Sequence, residues 1–341
     1  MRRANGLWPR VVAFDHLCAS ARRAARGKRR VAGAARFLAD LEPNALALQR
    51  ALEAGSWSPG RAFTFEIHDP KRRTITAAPF EDRVVHHALM DALEPVLERR
   101  MVHESFACRR GKGTHAALRF ARRLVRRYGW FLKLDVEHCF ESLAHPVVLS
   151  TVAHSIKDRR VLELCARVIR AGGAGGRGLP IGNLSSQWFA NLVLDRLDHH
   201  VKEQLGTSGY VRYMDDTVLL ADAKEPLVRA HAAVARFVEE QLSLRLKERA
   251  TILAPVRNGL PFLGWRIYRG TTRLRPENLR RTRLRLRHRV RQYRAGQIDA
   301  NQLAASMRSV TEHLRHGNTL SLRRGSSLFC EGGGPPAPRT A

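Results

Sequence analysis

Residues 210–221, which read YVRYMDDTVLLA, form the stretch that best decides the fold. Two apolar, β-prone arms flank a short polar centre, Asp215-Asp216, and this pattern is typical of a β-hairpin. Two adjacent carboxylates between apolar strands are costly unless a cation neutralises them. An aspartate-rich turn that bonds to its own backbone is the alternative interpretation.

A second segment favours the cation. Residues 130–136 are a short apolar run that carries Asp135 near its end, as in a buried strand that delivers a polar group at its C-terminal edge. Three carboxylates on neighbouring strands suit a pair of Mg²⁺ ions, with Mn²⁺ as a substitute, because such ions prefer hard oxygen ligands. Two ions can activate a hydroxyl and stabilise a pyrophosphate leaving group in one in-line displacement.

The charge balance identifies the class of partner. The 341 residues include 60 Lys or Arg and 31 Asp or Glu, so the formal net charge is +29. A protein that handles small neutral substrates rarely carries this excess, because self-repulsion destabilises the folded state. We therefore expect nucleic acid as the partner.

The remaining composition excludes other classes. A hydrophobic content of 44% is sufficient for a packed core, which excludes a disordered basic tail protein. No run of eighteen apolar residues is present, so we expect a cytoplasmic protein without membrane contact. The five cysteines form no CxxC pair or Cys/His array, so we expect neither a zinc site nor a disulfide framework.

Apolar periodicity predicts helices interrupted by short strands. Helices are expected at residues 31–55, 81–101, 114–127, 147–171, 184–204, 227–242 and 280–294. Strands are expected at residues 63–67, 74–77, 130–136, 210–221 and 262–267. The first 36 residues hold ten basic residues and one Asp, and form either a frayed arm or a nucleic-acid contact.

In their order along the chain, several of these segments resemble the motifs of reverse transcriptases. The resembling segments are 71–83, 105–113, 131–135 followed by Phe140, 213–216 and 262–265. The resemblance implies that Asp135 and Asp215 bind metal directly, with the Val136 carbonyl as an extra ligand and Asp216 as a weaker partner. These three aspartates are therefore the expected catalytic residues.

The resemblance also implies contacts with substrates. The residues expected at the incoming nucleotide are Lys71, Arg73, Phe140, Ile181 and Gln187. The residues expected at the nucleic acid are Arg109, Tyr213, Met214, Arg283 and Arg287. Phe140 would stack under the sugar and exclude a 2′-hydroxyl, although an ordinary core phenylalanine would fit the same position.

One segment narrows the resemblance. Most reverse transcriptases have a Gln before the Gly of the loop at residues 178–187 and a Ser-Pro pair after it, whereas this chain has Ile181 and Ser186-Gln187. This is similar to the enzymes of diversity-generating retroelements, within the group II intron-like superfamily, which misincorporate opposite template adenine. Ile offers the nucleotide only apolar contact, so looser positioning should tolerate mispairs. A packing variant is the alternative reading of Ile181.

The resemblance implies an α+β fold with right-hand polymerase architecture: fingers, a palm with an antiparallel sheet and a short helical thumb. The expected divisions are a basic helical extension (1–60), fingers (61–129), palm (130–268, with a finger-type insertion around 145–180), an Arg-rich thumb (269–328) and a disordered tail (329–341). Expected partners are template RNA, primer or cDNA, dNTPs and a small basic accessory protein. Alternatives are a defence-associated or retron-type reverse transcriptase, or a catalytically idle RNA-binding protein.

Overall fold

The computed structural model of the protein describes residues 3–68 and 72–324. The helices are α1 (Trp8–Val12), α2 (Phe14–Ala24), α3 (Ala32–Ala39), α4 (Leu41–Glu53), α5 (Phe80–Glu98), α6 (Thr114–Arg127), α7 (Cys139–Ser142), α8 (His145–Ser155), α9 (Arg159–Arg170), α10 (Leu184–His199), α11 (Lys224–Leu242), α12 (Pro276–Arg294), α13 (Ala300–Leu314) and α14 (Leu320–Arg324). The strands are β1 (Phe63–Ile67), β2 (Arg73–Ala77), β3 (Trp130–Leu134), β4 (Gly209–Tyr213), β5 (Asp216–Ala221), β6 (Ile252–Pro255), β7 (Leu260–Phe262), β8 (Trp265–Ile267) and β9 (Thr272–Leu274). The predicted α+β class with antiparallel sheets is confirmed. In these ranges no helix is both long and apolar enough to cross a bilayer.

A four-stranded antiparallel sheet, in the order β4-β5-β3-β6, organises the molecule. Because side chains alternate along each strand, the two faces of this sheet contribute to two different hydrophobic cores. Leu132 and its neighbours on one face pack against α10 and α11, whereas Phe131 and its neighbours on the other pack against α6 and the small sheet β7-β8-β9. Leu134 at the end of β3 pairs with Thr217 near the start of β5. The end of β3 and the turn between β4 and β5 therefore lie at the same edge of this central sheet.

The basic N-terminal segment is folded where the structure describes it. Val11, Leu17 and Ala21 on α1 and α2 are fully buried, and α2 packs against α5. Asp91 on α5 pairs with the imidazole of His16 at 2.9 Å. The frayed-arm interpretation is therefore wrong for these helices.

Two of the predicted helices are each divided in two. The segment 31–55 breaks at Asp40 into α3 and α4, and the segment 147–171 breaks before Asp158 into α8 and α9. The predicted helix at 184–204 ends as a regular α-helix at His199 and continues as a π-helical turn. The other predicted elements are confirmed, with ends shifted by up to four residues.

Candidate active site

The turn between β4 and β5 is tight and strained. Tyr213 pairs with Asp216 across the hairpin, which leaves Met214 and Asp215 as a two-residue turn. Met214 has φ +52°, a left-handed conformation that is uncommon for a residue other than glycine. Backbone strain of this kind costs on the order of 1–3 kcal/mol and persists only where the surroundings impose it.

The carboxyl groups of Asp135 and Asp215 meet beside this turn. Asp135 follows Leu134, which pairs with Thr217 on β5, so the sheet register places Asp135 next to the hairpin. Burial, reinforced by repulsion from Asp135 and Asp216, raises the pKa of Asp215 to about 6. Two hydrogen-bonded carboxyls that repel when both are ionised form a site that a cation would stabilise.

Asp216 is engaged differently. Its carboxylate forms an ion pair with the ammonium of Lys133 on β3, and it accepts a hydrogen bond from the backbone N–H of Leu263. Burial raises the pKa of Asp216, and the charge of Lys133 opposes that rise. Within residues 3–68 and 72–324, no three His, Cys, Asp or Glu side chains are grouped so that they could hold a metal. The structure thus brings two of the three predicted carboxylates together and commits the third to Lys133.

The carbonyl of Val136 completes an oxygen-rich edge. The N–H of Glu137 donates to the carbonyl of Arg245 at 2.8 Å, on the β6 side of the strand. Because the C=O and N–H of a trans peptide point in opposite directions, the Val136 carbonyl points toward β5. Two carboxylates and a carbonyl on one edge are the hard oxygen ligands that Mg²⁺ takes, so the donor set fits a divalent cation.

The β1–β2 hairpin docks on the loop before α10. The N–H of Thr76 donates to the carbonyl of Ile181 at 3.0 Å, and a side chain at Gly182 would approach Ile75 to 2.9 Å. Arg73 lies on β2 with its side chain exposed, on the same face of the strand as Ile75. The structure therefore brings Arg73 and Ile181 to neighbouring elements; Lys71 lies outside the described residues.

Two other residues predicted to contact the nucleotide occupy different surroundings. Phe140 on α7 is half-buried against the larger core, and its carbonyl accepts the N–H of Leu179 at 2.8 Å. Gln187 on α10 is exposed, and its side-chain oxygen accepts a hydrogen bond from the Cys108 thiol at 3.4 Å. The same thiol lies 4.0 Å from the sulfur of Met214. Gln187 therefore lies close to the turn that carries Asp215.

Three of the residues predicted to contact nucleic acid lie on two elements. The hydroxyl of Thr114 donates to the Tyr213 hydroxyl at 3.2 Å, which ties the end of β4 to the start of α6. Arg283 and Arg287 lie half-buried on α12. At the start of α12, the Asn278 amide donates at 2.8 Å to the carbonyl of Gly264, the neighbour of Leu263.

The structure corrects the role of Arg109. Its side chain is only 4% exposed and forms a bidentate ion pair with Glu98. The remaining guanidinium nitrogen donates to the carbonyls of Val102 and Ser105 at 2.5 and 2.8 Å. Because these partners use its donors, Arg109 stabilises the loop after α5 and is not positioned to donate to a template strand.

Sequence reasoning missed the residue that supports the strained turn. Arg212 is fully buried beside Asp198, and its guanidinium donates to the carbonyl of Met214 at 3.0 Å. It also donates to the side chains of Asn191 at 2.8 Å and Ser105 at 3.0 Å. A charged residue inside the otherwise apolar β4 was the available signal, but the sequence does not indicate its partner fourteen positions away.

Comparison with known proteins yields one family. The family described as "Reverse transcriptase (RNA-dependent DNA polymerase)" matches residues 67–267. Protein YkfC of Escherichia coli is 26% identical over 259 residues, which cover 63% of this chain and 68% of YkfC. The group II intron-encoded protein LtrA of Lactococcus lactis is 25% identical over 162 residues, which cover 45% of this chain and 27% of LtrA.

A solved structure is also similar. Apo telomerase from Candida tropicalis aligns with a TM-score of 0.49 at 10% identity, over 66% of this chain and 52% of that one. The chain thus spans between about a quarter and two thirds of the length of these three proteins.

Proposed function

Because this chain belongs to the reverse transcriptase family, we propose that it extends a DNA primer with dNTPs along a template RNA. The observation that carries this proposal is the meeting of Asp135 and Asp215 at one edge of the central sheet. Two repelling carboxylates at the end of apolar strands have a clear use when they bind cations. They have none in a protein that only holds RNA, which makes the idle RNA-binding protein the weaker alternative.

The donor set supports two Mg²⁺ ions, or Mn²⁺ in their place, held by Asp135, Asp215 and the Val136 carbonyl, with Asp216 as a weaker partner. When bound, such ions lower the pKa of a primer hydroxyl and stabilise the charge on the leaving pyrophosphate. The ion pair with Lys133 and the hydrogen bond from Leu263 keep Asp216 next to this site.

We assign the incoming nucleotide to the space between the β1–β2 hairpin and the turn that carries Asp215. Arg73 would donate to the triphosphate, where charge-assisted contacts stabilise developing negative charge. Lys71 would add a second cation, Phe140 would lie under the sugar, and Ile181 and Gln187 would border the base pair. Because the side chain of Ile181 offers no hydrogen bond, it constrains the nucleotide less than the side chain of a glutamine would.

Within this proposed function, we assign the protein to the diversification of a target gene through errors at template adenines. Its expected partner is a small basic accessory protein. This assignment is supported by Ile181 and by Gln187 after Ser186, and its competitor is a defence-associated or retron-type enzyme. We further assign residues 61–129 to fingers, 130–268 to the palm and 269–328 to the thumb. The last four residues of this thumb range and the expected tail (329–341) lie outside the described residues.

The experiment that tests the proposal is primer extension on RNA with purified protein and Mg²⁺. Asp215→Asn should abolish extension while RNA binding is largely retained, because the substitution removes a metal-binding charge at constant size. Asp222→Asn, an exposed aspartate beyond the end of β5, is the matched control and should extend normally. Synthesis by Asp215→Asn would overturn the metal assignment.

A further inference from the structure

A basic trough runs along α6, and none of the residues that line it has a catalytic or binding role in the function proposed above. Four arginines at helical spacing, Arg119, Arg122, Arg123 and Arg126, line its wall opposite the buried face of the helix. Like charges three and four residues apart destabilise a helix by a few tenths of a kcal/mol per pair. In the described parts of the chain, no carboxylate pairs with Arg119, Arg123 or Arg126. This cluster therefore lacks an internal counter-charge.

Aromatic rings accompany these cations. Phe120 is half-buried with the guanidinium of Arg123 5.0 Å from its ring centre, and the exposed imidazole of His103 lies 5.8 Å from the same ring. Lys112 lies over Phe106 at 5.0 Å. Cations interleaved with ring faces are the combination that binds unpaired bases and their phosphates together.

The trough leads away from the catalytic turn and continues toward the C-terminal helices. The α6 helix begins at Thr114, which contacts Tyr213, and its residues that line the trough run from Ala116 to Arg126, or about 15 Å. A second cavity shares Arg122 and Arg126 with the first and is also lined by Arg269 and Arg315. Although Arg315 is paired with Glu312, no acidic residue lines either cavity.

We propose that this α6 trough binds a single-stranded segment of the RNA adjacent to the part that is being copied. The lined part of α6 is long enough for about four stacked nucleotides at 3.4 Å each. The uncompensated arginines would contact the phosphates, and Phe120 and His103 would stack on unpaired bases. The inference rests on the proposed function only in identifying the strand as the template RNA.

The test compares two triple variants of the full chain that remove equal charge. Arg119→Gln/Arg123→Gln/Arg126→Gln removes the cluster, and because it relieves repulsion within α6 it should not impair folding. Lys224→Gln/Arg229→Gln/Arg236→Gln removes three exposed cations from α11, which packs on the opposite face of the central sheet.

Binding of a labelled, unstructured 20-nucleotide RNA is measured by anisotropy over a range of salt concentrations. The α6 variant should lose at least tenfold in affinity, and its slope of log K against log salt should fall by about 2, because each phosphate contact on a single strand contributes about 0.7. The α11 variant should change neither quantity to this extent; equal behaviour of the two variants would overturn the proposal.

A further variant and two further probes test the strand assignment. Phe120→Leu keeps an apolar side chain but removes the ring, and should weaken RNA binding about fivefold or more without changing the salt slope. An unchanged affinity would overturn the stacking contact. If the α6 variant lost affinity for an RNA duplex, or for DNA of the same sequence, but not for the single-stranded RNA, the assignment would be wrong. All binding is measured without nucleotides, so absent primer extension would count against the proposed function alone.

Discussion

Arg212 shows how one side chain links stability to the geometry of the site. It holds the carbonyl of Met214 from inside the core, and its charge is balanced by Asp198, which is also fully buried. Because the strained turn persists only when its surroundings fix it, this buried pair is the structural reason that Asp215 stays next to Asp135. Buried charge pairs of this kind are costly to break, since the remaining partner is left unbalanced in a low dielectric.

Asp198→Asn should therefore lower the free energy of unfolding by about 3–5 kcal/mol, as measured by denaturant titration. It should also reduce primer extension more than RNA binding, because the support of Met214 is lost. The matched control is Glu163→Gln, which breaks the exposed pair with Arg159 and should cost less than about 1 kcal/mol. Equal effects of the two substitutions would show that Arg212 does not depend on Asp198.

Ile181→Gln tests the proposed cause of infidelity. The carbonyl of Ile181 accepts the Thr76 N–H whatever its side chain is, so the substitution should preserve the docking of the β1–β2 hairpin. An added amide could hold the nucleotide by hydrogen bonds, so misincorporation opposite template adenine should fall several-fold in sequenced products. Leu46→Gln, an exposed apolar residue on α4, is the control. An unchanged error spectrum in Ile181→Gln would remove this account of the residue.

Secondary-structure elements could be predicted where the sequence pattern is local. The prediction failed where a contact with a distant residue decides the structure. The hairpin at Asp215 and the strand before Asp135 were visible because apolar runs surround the acids. The break before Asp158 was missed although it has a local signal, because the Asp158 carboxylate caps α9 by accepting the N–H of Val161. The same carboxylate also accepts the N–H groups of Leu7 and Trp8 at 2.9 and 3.0 Å, about 150 residues away, and no local pattern shows that contact. The ion pair of Asp216 with Lys133 was missed for the same reason, since it depends on sheet register.

A buried histidine on α5 should make the stability of the protein depend on pH. His86 on α5 is buried, and its burial together with the nearby His87 lowers its pKa to about 4, whereas the unfolded chain titrates near 6.5. Above pH 6.5 His86 is neutral in both the folded and the unfolded chain. As the pH falls below 6.5 the unfolded state takes up the proton first, so the free energy of unfolding decreases until about pH 4.

When the pH is lowered from 7.5 to 5.0, the titration of His86 should reduce the free energy of unfolding by about 2 kcal/mol. The reduction is about 1.4 kcal/mol for each pH unit below 6.5. His86→Gln removes the titration and should reduce the loss by that amount in urea unfolding at the two pH values. His288→Gln, which removes an exposed histidine of α12, should leave the loss unchanged. An equal pH dependence of wild type and His86→Gln would refute this role of His86.

At the scale of the whole molecule, the C-terminal helices bury far fewer apolar side chains than the central sheet does. The two large cores share the central sheet, whereas α12 and α13 enclose only Leu286 and Leu314 as fully buried residues. Polar and aromatic contacts attach them to the rest, among them the stacking of His316 on His115 at 3.6 Å and the close packing of Gly317 on the ring of Trp265. Regions with few buried apolar contacts open at a lower free energy than the global unfolding.

Amide hydrogen exchange should therefore be faster in α12 and α13 than in β3 and β5, with opening free energies several kcal/mol apart. Gly317→Ala should widen this difference, because a Cβ at Gly317 would lie 2.0 Å from Trp265 and must displace the helices from the small sheet. Gly270→Ala, where a Cβ meets nothing within 4 Å, is the matched control. If α12 and α13 exchanged as slowly as β3, or if the two alanine variants behaved alike, the attachment through Trp265 would not be the weak point of the molecule.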